Sequence, residues 1–493
     1  MLSLPSIRRP DKPAGLRTLV VGAGEAGRTL TRALRRSPSY GLLPIGFLDD
    51  SPSLTRVAGL PVCGPIRSLG EAARTQRAEA CVVAIPSLRP QQLAAIVEAG
   101  RAAGLHVRYL PSFLAAVERD ARLSDLRRLQ VESLLGRSEV RVVSDRPARL
   151  ISGQRVLVTG AGGSIGSELC RQIRAFGPAN LYLLDHDESN LHRLQLEITG
   201  SGLLDGDDII IADIRDRRRI DQVFEAARPQ VVFHAAAHKH LPLLERHPCE
   251  AVKSNVAGTQ NLVEAALRHR AERFVLISTD KAADPTSVLG ATKRLAELVV
   301  QRAADGPVTL ASVRFGNVLG SRGSFLSVLA DQIERDEPVT VTHPDVTRFF
   351  MTVEEAVGLV LETAAMAEYA ETFVLDMGEP VPIVSLVQNY ATQLKLPNVE
   401  IKYTGLRPGE KLEEKVFSDQ ERRVPTAHPK IWATRCTEPV PDFDPLLDQL
   451  YAAAEDGSTD YVKELLVRLV PEYQPSGLVE TPVSASAPYP DGF

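Results

Sequence analysis

The segment VLVTGAGGSIG, residues 156–166, joins a short apolar run to a glycine-rich turn and the start of a helical pattern. Gly160 permits a tight turn, Gly163 lets the backbone approach a phosphate, and Gly166 lets the following helix pack closely on a sheet. This order is typical of a dinucleotide pyrophosphate site, where the helix N-terminus faces the anion; the alternative is a purely structural turn. The cofactor contacts predicted in this loop are Gly160, Gly162, Gly163, Ser164, Ile165 and Gly166.

The residues that follow supply the context that a glycine pattern alone lacks. A second apolar run, 180–184, is followed by Asp185, about 20 residues beyond the last glycine, where a carboxylate accepts hydrogen bonds from the adenosine ribose hydroxyls. That carboxylate favours NAD over NADP. Two further strand-like runs, 209–213 and 231–237, extend the predicted parallel sheet. They add Asp213, Ile214, Ala235 and Ala236 to the predicted cofactor site.

Composition and charge exclude several classes of protein. The 493 residues, 44% hydrophobic and 24% charged, carry a net charge of -5, which gives no reason to expect a nucleic-acid partner. No apolar run is long enough to span a bilayer, and the start MLSLPSIRRPDKP lacks a signal-peptide core, so we expect a cytoplasmic protein without an integral membrane segment. Five scattered cysteines predict neither disulfides nor a zinc site.

An earlier segment repeats the pattern of the glycine loop. The strand-like run 17–21 is followed by Gly22, Gly24 and Gly27, and the run 45–50 ends on carboxylates that include Asp49. Later strand-like runs at 80–85 and 106–110 complete a second α/β unit. A nucleotide held by Gly22, Gly24, Gly27 and Asp49 is one interpretation of this unit, and a vestigial or docking module is the other.

Composition shifts suggest where the domains end. Residues 123–137 are rich in leucine and arginine at helical spacing, and residues 143–153 contain turn-forming residues. Beyond residue 470, Pro, Ser, Gly and Tyr dominate. These shifts predict an N-terminal extension 1–14, a Rossmann-like domain 15–120, a helical linker 121–152, a catalytic domain 153–470 with its substrate part mainly at 315–435, and a flexible tail 471–493.

Polar groups cluster after a fifth strand-like run, 273–278, in the order Ser278, Thr279, Asp280, Lys281. The carboxyl end of a parallel strand faces the ligand crevice of a doubly wound sheet. There, an adjacent acid and amine can take complementary protonation roles; the alternative is an exposed surface ion pair. Lys293 follows on a predicted helix beside the cofactor, where it is a candidate ligand of the nicotinamide ribose rather than a solvated lysine.

Two later segments are typical of diphosphate sites. Asn317 and the glycine-rich turn 320–323 offer backbone and side-chain donors, and Arg348 and Arg407 offer guanidinium groups suited to bidentate binding of an anion. An ordinary surface position is the alternative for these arginines. The predicted substrate contacts here are Asn317, Arg322, Ser324, Arg348 and Arg407, with Glu410 on the nucleotide ribose.

Three histidines, His234, His238 and His240, include an HxxxH spacing that would suit a metal if the segment were helical. We predict instead a strand that runs into the cofactor loop, and therefore no metal site. In that loop, His238 and Lys239 would reach a substrate, and Lys239 is a predicted substrate contact.

Seven stretches between residues 159 and 415 carry a family resemblance. They are TGAGGSIGSEL, HAAAHKHLPLLE, SNVAGTQNL, STDKAADPTSVLGATKR, RFGNVLGSRGS, TRFFMTVEEAV and LRPGEKLEEK. In this order they resemble the extended short-chain dehydrogenases, and within them the capsule-type polysaccharide-biosynthesis nucleotide-sugar 4,6-dehydratases without transmembrane helices. The resemblance implies an α/β fold of two tandem Rossmann-like domains with doubly wound parallel sheets, the second an extended short-chain dehydrogenase with a smaller C-terminal substrate-binding portion.

The resemblance also implies a chemistry. The substrate would be UDP-N-acetylglucosamine or a close relative, the cofactor a tightly bound and recycled NAD or NADP, and the assembly a homo-oligomer. Asp280 would protonate the departing C6 hydroxyl, and Lys281 would remove the C5 proton. Thr279 or Ser278 would hold the sugar C4 oxygen, and Asn255, on the substrate side, would steady the active-site helix through water.

One position departs from the family pattern. The usual tyrosine four residues before Lys293 is Leu289, which cannot accept the C4 hydroxyl proton, so the identity of that base stays open. A UDP-sugar 4-epimerase, which stops before elimination, and a non-catalytic dinucleotide sensor are the alternative functions. The sequence does not decide the exact sugar or whether C5 is inverted.

Overall fold

The computed structural model divides the chain into two compact units, 1–131 and 132–493. It describes residues 15–36, 42–51, 55–85, 90–109, 127–128, 144–200, 206–304, 306–319, 321, 325–335, 337–393, 399–434 and 439–475. The predicted extension 1–14 lies outside these residues.

The first unit is built on a five-stranded sheet. The strands of the whole unit are β1 Leu16–Val21, β2 Leu42–Leu48, β3 Arg56–Val57, β4 Leu60–Pro61, β5 Ala80–Val83, β6 His106–Tyr109 and β7 Arg127–Arg128. Its helices are α1 Glu25–Arg36, α2 Leu69–Gln76 and α3 Pro90–Ala102, with a 3-10 turn at Ile66–Ser68. The sheet order is β2-β1-β5-β6-β7, and β3 and β4 form a separate hairpin.

The first sheet is parallel except at one edge, where β7 pairs antiparallel with β6. Its central strand β1 buries Leu19, Val20 and Val21 completely, as expected for a strand covered on both faces. The leucine- and arginine-rich run 123–137, for which helical spacing predicts a helix, contributes Arg127–Arg128 as a strand; its other residues lie outside the described part of the chain.

The second unit contains a nine-stranded sheet in the order β10-β9-β8-β11-β12-β13-β18-β22-β21. Those strands are β8 Arg155–Thr159, β9 Asn180–Asp185, β10 Ile209–Ile211, β11 Val231–His234, β12 Arg273–Ile277, β13 Thr309–Arg314, β18 Glu371–Leu375, β21 Val424–Pro425 and β22 Ile431–Thr434. The remaining strands pair in twos: β14 Asn317–Leu319 with β17 Phe350–Thr352, β15 Val339–Val341 with β20 Ile401–Tyr403, and β16 Thr347–Arg348 with β19 Val381–Pro382.

Helices connect these strands. They are α4 Arg146–Ile151, α5 Ser164–Ala175, α6 Glu188–Thr199, α7 Arg217–Ala227, α8 Leu241–Arg246, α9 Pro248–Ala251, α10 Gly258–Arg268, α11 Val288–Arg302, α12 Phe325–Glu334, α13 Val353–Met366, α14 Ile383–Gln393, α15 Phe443–Glu455 and α16 Thr459–Leu469. A π-helical segment, Val252–Ala257, precedes α10, and a 3-10 turn, Asp280–Ala282, follows β12.

The large sheet is doubly wound, as the sequence predicts. Neighbouring strands from β10 to β18 pair in parallel, and only β22 and β21 add antiparallel pairs at one edge. The side chains of β8 alternate between two cores, with Val156 and Val158 in one and Leu157 in the other. Because the strand order reverses between β8 and β11, a crevice opens at the carboxyl ends of these strands.

The C-terminal end of the described chain is packed within the second unit. Tyr473 is buried, Glu472 pairs with Arg294, and the Gln474 amide donates to the Pro285 carbonyl. Residues 471–475, predicted as the start of a flexible tail, are therefore part of the folded unit. In the described residues no helix has the length and apolar character that crossing a membrane requires.

Candidate active site

A cavity of about 700 Å³ lies at the carboxyl ends of the central strands of the second unit. It is lined by most of the predicted cofactor and catalytic residues, which come from separate loops. These are Gly160, Gly163, Ser164, Ile165, Gly166, Asp185, Asp213, Ile214, Ala235, Ala236, Ser278, Thr279, Lys281 and Lys293, together with the predicted substrate contacts Lys239 and Asn317.

The glycine loop is fitted closely to its surroundings. Gly160 has a φ of +66°, in the left-handed region that favours glycine. A Cβ added to Gly166 would lie 2.0 Å from the Gly160 carbonyl oxygen, so only glycine lets α5 start this close to the turn. The Gly162 N–H donates to Asp185 Oδ2 at 2.9 Å, which ties the loop to the end of β9. The loop and carboxylate thus form a cradle that fits a dinucleotide.

A second carboxylate, Asp213, stands beside an arginine that the sequence analysis did not select. Arg215 donates to Asp213 Oδ2 at 2.6 Å and to Glu250 Oε2 at 3.0 Å, and it also lines the cavity. Burial raises the pKa of Asp213, but hydrogen bonds and charge from Arg215 outweigh that effect and lower it overall. Asp213 is therefore held as a carboxylate in the lining of the cavity.

Lys293 lies on α11 and reaches back to the sheet. Its Nζ donates to the Ile277 carbonyl at 2.6 Å, and the residue is 5% exposed. Burial lowers the pKa of Lys293 to about 8, against an opposing influence of Glu297. The side chain is therefore a buried amine at the cavity wall, unlike an ordinary solvated helix lysine.

Asp280 and Lys281 form a buried pair. Asp280 Oδ1 accepts hydrogen bonds from Lys281 Nζ at 3.0 Å and from the Thr279 hydroxyl at 2.9 Å. The Asp280 side chain is 0% exposed and that of Lys281 is 17% exposed, so the pair is not an exposed surface ion pair. Lys281 lines the cavity, and Asp280 lies behind it. Among the described residues, Asp280 Oδ2 has no hydrogen-bond partner.

The charges around Lys281 oppose the effect of burial. Burial is the largest influence and lowers the pKa of Lys281, but attraction to Asp280 and to Glu414 together exceeds it, so the pKa is raised. Lys281 therefore rests as an ammonium beside Asp280.

Ser278 connects the cavity to a buried ionic network. Its hydroxyl donates to Glu297 Oε1 at 2.5 Å, and Arg314 donates to the other oxygen of Glu297 at 2.6 Å. Arg294 and Glu421 complete the arrangement. Because the hydroxyls of Ser278 and Thr279 already donate to carboxylates, either must re-orient in order to donate to a sugar oxygen.

Asn255 does not line the cavity. It is buried; its Oδ1 accepts from the His238 N–H at 2.9 Å, while its Nδ2 donates to the His238 carbonyl at 3.1 Å and to the Thr292 hydroxyl at 3.2 Å. This placement fixes the loop after β11 to α11 directly. It favours a role in holding the active-site helix over direct contact with substrate.

The three histidines do not share a helix face. β11 ends at His234, and residues 235–240 form a loop. His234 is buried between the hydroxyls of Thr159 at 2.8 Å and Thr259 at 3.0 Å. Burial and the charge of Lys293 lower the pKa of His234 to about 3, so it is neutral. Its role is to tie together neighbouring strands and α10.

Arg348 and Glu410 pair with each other at 3.0 Å, away from the lining of the main cavity. Arg348 also donates to the carbonyls of Thr347 and Leu412, and Glu410 accepts from Thr342. Arg407 lies on the same loop as Glu410, and its side chain is exposed. Arg322 and Ser324 lie outside the described residues. The structure thus brings most of the catalytic and cofactor candidates to one cavity, whose lining does not include Arg348 or Arg407.

The comparisons with known proteins are consistent with this geometry. The model of a family described as polysaccharide biosynthesis protein matches residues 156–436, more than half of the chain. The chain belongs to this family. A probable polysaccharide biosynthesis protein EpsC of Bacillus subtilis is 41% identical over 432 residues, covering 86% of this chain and 72% of that protein. The capsular polysaccharide biosynthesis protein CapD of Staphylococcus aureus is 39% identical, covering 84% and 71%.

These relatives confirm the capsule-type resemblance and the fold class. A solved structure, that of Pen from Bacillus thuringiensis, is 32% identical with a TM-score of 0.53, covering 57% of this chain and 88% of that one. A UDP-glucose 4-epimerase of Rickettsia rickettsii is 30% identical, covering 54% of this chain and 78% of that protein. Together with the cavity, the family supports an enzyme that modifies nucleotide sugars.

The first unit reproduces the glycine loop of the catalytic unit. A family model described as a CoA-binding domain matches residues 6–111. Gly22 has a φ of +101°, and a Cβ added to Gly27 would lie 2.0 Å from the Gly22 carbonyl oxygen. Asp49 Oδ2 accepts from the Ala23 N–H at 2.7 Å, as Asp185 does from Gly162. Gly24 is exposed at this turn. A nucleotide at these residues stays a prediction.

Three residues at or beside the cavity escaped the sequence analysis: Arg215, Glu297 and Glu414. Arg215 stands two residues after Asp213, and Glu297 one helical turn after Lys293, so local spacing could have found both. Glu414 lies within the quoted stretch LRPGEKLEEK, but no local pattern separates it from its exposed neighbour Glu413. Only the fold brings Glu414 to Lys281.

Proposed function

We propose that this member of the polysaccharide biosynthesis family is a nucleotide-sugar 4,6-dehydratase that acts on UDP-N-acetylglucosamine or a close relative. The observation that supports it best is the Asp280–Lys281 pair, with 3.0 Å between Oδ1 and Nζ, because its lysine lines the same cavity as the glycine loop. A dehydratase needs a redox cofactor and also an acid and a base that act on adjacent carbons of the sugar. Here the loop that would hold the cofactor and the lysine of the pair line the same cavity.

The loop residues Gly162, Gly163 and Gly166 would hold the cofactor pyrophosphate, and Asp185 the adenosine ribose. Asp185 favours NAD over NADP. When bound, the nicotinamide cofactor would accept hydride from sugar C4 and return it to C6, so that it is recycled. Lys293, with its amine held by the Ile277 carbonyl, would orient the nicotinamide ribose.

The acid–base pair performs the elimination between these hydride transfers. A keto group at C4 acidifies the C5 hydrogen, and the neutral form of Lys281 takes that proton. Protonated Asp280 gives its proton to the C6 hydroxyl, which leaves as water. Before these transfers, the Lys281 ammonium passes a proton across the 3.0 Å contact to Asp280, so the elimination returns Lys281 to the ammonium form in which it rests. One proton has moved from C5 to the departing oxygen. After hydride returns to C6, C5 takes a proton from Lys281, and the proton released by the C4 hydroxyl replaces it, so that no other co-reactant is required.

The C4 hydroxyl proton needs an acceptor other than Leu289, which lines the cavity but has no basic atom. The described lysines of the cavity are Lys239, Lys281 and Lys293. Of these, Lys293 lies one helical turn from Leu289, and its pKa of about 8 leaves a sizeable neutral fraction near that pH. We assign the acceptor role to this group of lysines rather than to one of them.

A UDP-sugar 4-epimerase is the second candidate, because several relatives carry the name UDP-glucose 4-epimerase. An epimerase shares the oxidation at C4 and has no need of a group that protonates the C6 hydroxyl. A buried acid paired with a lysine therefore favours elimination. A dinucleotide sensor would require neither member of the pair.

The variant Asp280→Asn tests this proposal. It keeps the size of the side chain but removes the transferable proton, so we expect dehydration of UDP-N-acetylglucosamine to fall by about 10²- to 10⁴-fold. The matched control Asp444→Asn changes an exposed carboxylate that pairs with Arg302, and it should leave the rate unchanged. Equal activity of both variants would contradict the acid assignment. A wild-type product with unchanged mass and an inverted C4 would support the epimerase.

A further inference from the structure

Glu414 stands behind the catalytic pair and belongs to a loop far from it in sequence. Its Oε1 lies 3.6 Å from Lys281 Nζ, and its side chain is only 3% exposed. Among the described residues, its Oε2 makes no hydrogen bond. A buried carboxylate oxygen without a donor is costly, so its placement beside Lys281 needs an explanation.

The charges that face this carboxylate alternate in sign. Lys281 faces Asp280 and Glu414, with Arg348 acting on it from farther away. Glu414 faces Lys281 and Lys411, whose Nζ lies 4.0 Å from Glu414 Oε2. Lys411 in turn donates to the Asp284 carbonyl. Glu414 is therefore the carboxylate that lies between Lys281 and a second, partly buried lysine.

The proposed reaction makes the charge state of Lys281 decisive, because only its neutral amine can take the C5 proton. A carboxylate at 3.6 Å stabilises the ammonium form and also draws the amine toward itself. We propose that Glu414 is a positioning residue that holds Lys281 at the cavity wall and sets the pH at which this lysine becomes available as the base. The inference rests on the dehydratase function proposed above.

The electrostatics of the cluster agree with this role. Burial lowers the pKa of Lys281, and the attractions to Asp280 and Glu414 raise it above its ordinary value. Removing the charge of Glu414 should therefore lower the pKa of Lys281. Removing the charge of Lys411 should do the opposite, because that ammonium repels the ammonium of Lys281.

The test is the pH profile of dehydration at saturating substrate, with the intact chain and bound cofactor. For Glu414→Gln, the limb that rises with pH should move to lower pH by about one unit. Glu414→Asp keeps the charge and should retain the wild-type limb. For Lys411→Met the limb should move to higher pH. The matched control Glu413→Gln alters the exposed neighbouring carboxylate and should leave the profile unchanged.

Two outcomes would overturn the inference while leaving the proposed function intact. One is a Glu414→Gln profile that coincides with that of the wild type, and the other is a fall in rate with the same pH dependence for all variants at 411 and 414. If Glu414→Gln fails to fold, Lys411→Met alone decides, because a limb that stays in place or moves to lower pH contradicts the account. If the wild type dehydrates no UDP-sugar, it is the proposed function that fails.

Discussion

Replacing Arg314 by methionine should destabilise the second unit strongly. The guanidinium is 0% exposed and is held by two carboxylates: it donates to Glu297 at 2.8 and 2.6 Å, and to Glu421 at 2.7 and 2.8 Å. Arg294 is the other cation of this network, and it also pairs with Glu472. Methionine fills similar space but leaves three buried carboxylates against one guanidinium.

The size of the effect follows from this charge imbalance. Removing one partner of a buried ion pair costs about 3–5 kcal/mol, because the remaining charge stays buried without compensation. Burial tends to raise the pKa of Glu297, but Arg314, Arg294 and Ser278 together hold it below its ordinary value, so this carboxylate depends directly on Arg314. We expect the free energy of unfolding to fall by about 3–5 kcal/mol and the thermal midpoint by roughly 5–10 °C.

The assay uses the fluorescence of Trp432, the single tryptophan of the chain, which lies in the second unit and therefore reports its unfolding. The matched control is Arg302→Met. Its guanidinium pairs with Asp444, but the two side chains are 56% and 59% exposed, so the expected loss is below about 1 kcal/mol. Equal losses for the two variants, or a stable Arg314→Met protein, would refute the argument from buried charge.

Two further predictions concern the cofactor loop and the buried lysine. Gly166→Ala should abolish cofactor binding, because its Cβ would meet the Gly160 carbonyl oxygen at 2.0 Å. The control Gly70→Ala adds a Cβ in open space. Dinucleotide titration compares the two variants, and retained binding by Gly166→Ala would contradict the close fit. Burial lowers the pKa of Lys293 from 10.5 to about 8, so between these pH values the unfolded chain binds more protons and stability rises with pH. From pH 8 to 9.5, urea unfolding should show a gain of roughly 2 kcal/mol in the wild type relative to Lys293→Met, and an equal pH response of both proteins would exclude the shift.

Local sequence signals predicted much of the fold. The apolar run at 156–159 and the glycines after it are features of neighbouring residues, and the structure places β8 and α5 there. The spacing from the loop to Asp185 was informative because a parallel sheet brings the end of the second strand back to the first turn, as the bond from Gly162 shows. Strand ends were less predictable: the run 231–237 contains a strand only to His234.

Features that depend on distant residues could not be predicted from local patterns. Arg348 and Glu410, both candidate substrate contacts, pair with each other instead of lining the cavity. Glu472 belongs to a segment whose composition predicts a flexible tail, yet it reaches Arg294. Glu414 lies 3.6 Å from Lys281 although a long stretch of chain separates them. Each of these contacts exists only because the sheet and its loops bring separate segments together.

The measurement that tests the central claim most directly is incubation of the purified wild-type protein with UDP-N-acetylglucosamine in deuterated water. The product mass and the proton spectrum at C5 are followed together. A product lighter by one water, with deuterium at C5, is the result that elimination by the Asp280–Lys281 pair predicts. A product of unchanged mass that differs only in configuration at C4 would contradict it.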